Sequence, residues 1–140
     1  MQKIILLLLV VACSKISIGQ CGKKAIIVSS QTEYLDGNNT LQRTVEEKSV
    51  IDISKTELII TPGDQPKMSG TINSDSCDWK VPYKEGKSVI KVTFTREGGE
   101  VRNATVTIEG KDGKISLLFE MAEMPHKKIR LVADKFEEKI

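Results

Sequence analysis

Apolar and polar residues alternate with a period of two along most of this chain. Between Ser88 and Thr95, Ile90, Val92 and Phe94 alternate with Lys91, Thr93 and Thr95; between Asn103 and Glu109, Ala104, Val106 and Ile108 alternate with Thr105, Thr107 and Glu109. That period places every second side chain on the same face, so each segment reads as a strand with one buried and one solvated side. The alternation continues through Ile115, Leu117, Phe119 and Met121, and then through Ile129, Leu131 and Ala133. Turn chemistry separates the four segments: Glu97-Gly98-Gly99-Glu100, then Lys111-Asp112-Gly113-Lys114, then Glu123-Met124-Pro125-His126. Short connections of this kind join antiparallel neighbours, so the C-terminal half is expected to be a meander.

The N-terminal half is less regular. Its pattern predicts strands at Ala25 to Ser29, Leu41 to Val45, Ser49 to Ile53, Leu58 to Thr61 and Met68 to Ile72, with turns at Asp36-Gly37-Asn38-Asn39 and Pro62-Gly63-Asp64-Gln65-Pro66. Cys77 to Lys87 reads as the longest irregular piece, and Lys135 to Ile140 as a final helical turn or a frayed tail. About eight short strands with tight turns and no linker predict one all-β domain, an antiparallel meander forming a small barrel or a sandwich.

The first nineteen residues stand apart. Lys3 opens them, Ile4 to Ala12 form an unbroken apolar run, and Ser17, Ile18 and Gly19 supply a small-x-small cleavage pattern, which together read as an export signal. The run is too short to span a hydrocarbon core of about 30 Å, which needs roughly 20 apolar residues, so no transmembrane span is expected. Cleavage after Gly19 leaves residues 20–140 as a secreted or periplasmic domain. A competing site exists at Val10-Val11-Ala12-Cys13, which looks like a lipobox; there Cys13 is lipidated and anchors the protein in the cell envelope.

Removal of the signal changes the electrostatics. The whole chain carries 21 basic and 19 acidic residues. Lys3 and Lys15 leave with the signal and no acid accompanies them, so the mature domain is balanced at 19 of each. A domain without surplus Lys and Arg lacks the means to neutralise a phosphate backbone, which excludes nucleic acid as the expected partner.

Cys21 and Cys77 survive under either cleavage. An even pair in an oxidising compartment predicts a disulfide, and the alternative is two separate thiols. The bridge would close a loop of about 55 residues and contribute roughly 3 to 4 kcal/mol by restricting the unfolded chain. No C-x-x-C motif is present to suggest redox catalysis.

This strand layout resembles that of small secreted bacterial β proteins, including lipocalin-like meanders, over most of the mature chain. Lipocalins carry Gly-x-Trp on the first strand, whereas the single tryptophan here, Trp79, follows Cys77-Asp78 in mid-chain. No residue role is therefore carried over from that family.

Catalytic chemistry is sparse. His126 is the only histidine and lies beside Pro125 in a hairpin connection, so it reads as a solvated turn residue rather than a general base. One histidine and two pairable cysteines predict no transition-metal site, and Asp75 with Asp78 lack the spacing of a calcium loop. Phosphate-binding glycine loops are absent, and no cofactor is expected. Asn38-Asn39-Thr40 and Asn103-Ala104-Thr105 match the glycosylation pattern as chance occurrences. Trp79 and Tyr83, on a segment stiffened by the disulfide, form either a binding surface or a cap on the core.

These observations point to an exported, non-catalytic β domain that binds a partner protein or a small apolar ligand. The alternative is a small secreted hydrolase or inhibitor-like protein with a dispersed site. A cavity within the stripe Ile90, Val92, Phe94, Val106, Ile108, Leu117 and Phe119 would favour a ligand, and a solid core a surface-acting module.

Overall fold

In the computed structural model, which describes residues 21–63, 65–96 and 98–139, eight strands follow one another around a closed barrel. They are β1 (Ala25–Asp36), β2 (Leu41–Ile53), β3 (Glu57–Pro62), β4 (Met68–Val81), β5 (Glu85–Thr95), β6 (Val101–Lys111), β7 (Lys114–Met121) and β8 (Lys127–Glu138). Every sequential pair is antiparallel, and β8 returns to pair antiparallel with β1. The expected meander is therefore closed as a barrel, not stacked as a sandwich. Closure removes the two sheet edges that an open meander would expose to other chains. The expected export signal and Cys13 lie outside the described residues.

The period-two pattern sets the inside. All seven residues of the expected stripe are buried, from Ile90 on β5 to Phe119 on β7. Cross-strand register carries the stripe around the wall: Val92 lies opposite Ala104, Ile90 opposite Val106, and Val106 in turn opposite Phe119. Ile27, Ile51 and Leu58 complete the core from β1, β2 and β3, each fully shielded from solvent. Between β6 and β7 the reversal uses Asp112 (φ 52°) and Gly113 (φ 77°), two consecutive left-handed residues that match the twist of a tight hairpin.

Three segments differ from expectation. Leu41 to Val45 and Ser49 to Ile53 form one strand, β2, because the charged Glu46-Glu47-Lys48 stretch continues the ladder with β1. Cys77 to Lys87 is no irregular piece: β4 runs on to Val81, the chain turns at 82–84 with Tyr83 at φ 63°, and β5 begins at Glu85. Cys77 and Trp79 occupy alternate inward positions there, but neither reads as part of an aliphatic stripe. The segment 135–138 is neither helical nor frayed, because β8 pairs with β1 as far as Glu138 opposite Ala25.

Candidate functional site

The two ends of the barrel are built differently. At one end the β4–β5 hairpin meets the end of β8. Cys21 and Cys77 are joined as a disulfide with their Cα atoms 6.0 Å apart, which ties the start of the described chain to β4. Trp79 is buried and donates its indole N–H to Ser88 Oγ at 2.8 Å, and that oxygen lies 3.4 Å from Cys77 Sγ. The Phe136 ring stands edge-on to both Trp79 and Tyr83, with centroids 5.8 and 4.9 Å away. Gly86 makes this approach possible, since a Cβ there would lie 2.5 Å from Trp79 Cα. Burial, and then the Glu138 carboxylate, raise the Tyr83 phenol above its usual pKa. The three rings plug this end.

The other end is open. Thr32 and Tyr34 on β1, Ile129 and Leu131 on β8, and Leu117 and Phe119 on β7 share the inner face through the pairs Thr32–Leu131, Tyr34–Ile129, Leu117–Leu131 and Phe119–Ile129. With Ile51, Ile60 and Met68 they surround an inner chamber of about 320 Å³. Its polar wall is narrow: Glu47 accepts a hydrogen bond from Thr32 Oγ1 at 3.1 Å, and Ser49 is buried beside it.

An outer chamber of about 530 Å³ adjoins the first across the row Tyr34, Ile129 and Phe119, which lines both. Met121 and Met124 extend its apolar floor, and Arg43, His126 and Lys127 stand on its rim. Arg43 lies opposite Tyr34 in the β1–β2 register, with its guanidinium carbon 4.3 Å from the ring centroid. Such stacking on an aromatic face orients the planar cation. The stripe residues Leu117 and Phe119 thus border a cavity, while Ile90 and Ile108 belong to solid core.

A larger depression, about 690 Å³, lies beside the mouth, with Asn73, Lys91, Thr105, Glu120 and Lys128 on its polar side and Met121, Met124 and Pro125 on its apolar side. Its side chains satisfy one another, with Asn73 Nδ2 2.6 Å from Thr93 Oγ1 and Lys128 Nζ 3.3 Å from Glu120. We take the barrel mouth as the site, since it joins concave apolar volume at the open end to a few placed polar groups, the usual composition of a small-molecule pocket.

The sequence-predicted residues fall away from this mouth. Trp79 and Cys77 lie at the plugged end, as does Tyr83, which also borders a shallow outer groove with Val81 and Ile115. His126 does reach the outer chamber, and among the described residues no carboxylate forms an ion pair with it. Asp75 and Asp78 are exposed on β4, and no group of three His, Cys, Asp or Glu among the described residues is arranged to hold a metal. Thr32, Tyr34, Arg43 and Glu47 carry no motif. The only signal for them is the inner-face alternation of β1 and β2, which a bulge between Ser29 and Gln31 shifts by one residue.

Comparison of the chain with protein-family models, curated proteins and solved structures finds no match in any of the three.

Proposed function

We propose that this protein is an exported, non-catalytic barrel that binds a small apolar ligand in its open mouth. The observation that carries the reading is the asymmetry of the interior: aromatic rings and a disulfide close one end, while the other holds a chamber lined by Ile51, Leu117, Phe119, Ile129 and Leu131. An eight-stranded barrel is just wide enough to be filled by its own side chains or to hold one small ligand. Unfilled apolar volume at the mouth supports the second use. Export rests on the segment from Met1 to Gly19.

A neutral fluorophore, N-phenylnaphthylamine, tests this reading. Its emission should rise saturably on titration with the disulfide-intact protein, and Ile129→Trp, which places an indole across the row between the chambers, should abolish the rise while leaving far-UV dichroism unchanged. A non-saturating signal, or equal binding by the folded variant, would overturn the proposal.

A further inference from the structure

We infer that the ligand is an anionic amphiphile whose head group is held at the rim by Arg43 while its apolar body passes Tyr34 into the inner chamber. The inference rests on the ligand-binding reading above and adds the chemistry of the head group.

The charges around the outer chamber are unequally committed. Asp36 Oδ1 accepts the backbone N–H groups of Asn38 and Thr40, both at 2.9 Å, and its Oδ2 accepts from Gln42 at 3.3 Å, so this carboxylate is engaged in its own turn. Lys128 is engaged too, with Glu120 at 3.3 Å and Asn39 at 3.1 Å. Arg43 and Lys127 form no ion pair among the described residues. Arg43, Lys127 and Lys128 against the carboxylates of Asp36 and Glu120, three cations to two anions, leave the rim with one net positive charge.

Arg43 is also the cation best placed to use that charge. Its stacking on Tyr34 sets it over the row that separates the chambers, and a guanidinium offers a planar fork of donors that matches a carboxylate or a phosphate. Deeper in, Glu47 is the carboxylate of the inner chamber among the described residues, and it repels a second anion. The charge pattern therefore orients an amphiphile, head at the rim and tail inside. The inner chamber has the volume of about ten liquid waters at about 30 Å³ each, so a chain of about ten carbons is the probe matched to it in size.

Decanoate, decanol and decylamine share a chain and differ in head group, so calorimetric titration of each into the full disulfide-intact protein at low salt tests the inference. Decanoate should bind at least about tenfold more tightly than decanol, the effect of one charge-assisted hydrogen bond. Arg43→Gln should bring decanoate down to the level of decanol measured on the same variant, whose far-UV dichroism should match that of the wild type. Equal binding of decanoate and decanol, or a preference that survives Arg43→Gln, would overturn the inference. Tightest binding of decylamine would overturn it as well and shift recognition to Glu47. If N-phenylnaphthylamine binds and none of the three displaces it, the amphiphile inference alone fails; if the fluorophore does not bind either, the reading beneath it fails.

Discussion

Trp79 reaches diagonally across the β4–β5 hairpin to Ser88, the register partner of Cys77, and its buried indole N–H donates to the buried hydroxyl at 2.8 Å. That single acceptor is what allows a tryptophan to sit inside the plugged end at so little cost. Ser88→Ala removes it and leaves a buried donor unsatisfied, for which the expected destabilisation is about 1 to 3 kcal/mol. Urea denaturation followed by Trp79 emission measures it. An unchanged midpoint would show that the indole finds another partner.

The disulfide beside this pair acts on the unfolded chain more than on the folded one. Cys21 and Cys77 are separated by 56 residues, and on the chain-entropy account the bridge contributes roughly 3 to 4 kcal/mol. The double variant Cys21→Ala/Cys77→Ala should lose that amount, and wild-type protein treated with dithiothreitol should match it. Because the bridge lies at the end away from the mouth, N-phenylnaphthylamine should bind the folded double variant as it binds the wild type. A loss of stability confined to the variant, absent from reduced wild type, would assign the effect to packing instead.

Strands β5 to β7 are legible in the chain because each buries one face only, so that Ile90, Val92 and Phe94, or Val106 and Ile108, mark the inside without help from context. Tyr34 is not legible in this way. The bulge after Ser29 breaks the alternation of Ala25, Ile27 and Ser29, and the inner face resumes at Thr32 and Tyr34 out of phase. The disulfide and the capping role of Trp79 are legible, but the strand that carries Cys77 and Trp79 is not, since a strand that ends in a disulfide and an aromatic plug has no aliphatic stripe to announce it. The mouth as a whole is written on six strands, β1 to β4, β7 and β8, whose members Arg43 and Phe119 lie far apart in sequence. Only closure of β8 on β1 brings them to one rim.

Phe136 tests that closure at its least expected point. Its segment has the composition of a charged tail, Lys135-Phe136-Glu137-Glu138, yet it pairs with β1 opposite Ile27 and its ring touches both Trp79 and Tyr83. Fully buried phenylalanines lose about 3 to 5 kcal/mol on truncation to alanine; Phe136 is half-buried, so Phe136→Ala should cost about 2 kcal/mol. Hydrogen exchange gives a second readout, with the paired amides of 135–138 protected in the wild type and faster in the variant. A tail without these contacts would show neither change.

Glu123 supplies the pH dependence with the clearest sign. It follows β7 in the turn that leads to β8, and its Oε1 accepts the backbone N–H of Asn103 at 2.9 Å, tying that turn to β6. This bond, then its own backbone N–H and the Arg102 charge, hold its carboxyl below the ordinary value of 4.5. A carboxyl depressed in the folded state binds its proton more readily when unfolded, so its contribution is fully present above the ordinary value and is lost as pH falls through the folded value. Glu123→Gln should therefore lower the thermal midpoint at neutral pH, and the gap between variant and wild type should close on acidification below the ordinary carboxyl range. Thermal melts across that range decide the matter. A gap that stays constant into acid would mean that the amide replaces the carboxylate badly for reasons of shape, and that the charge on Glu123 contributes nothing.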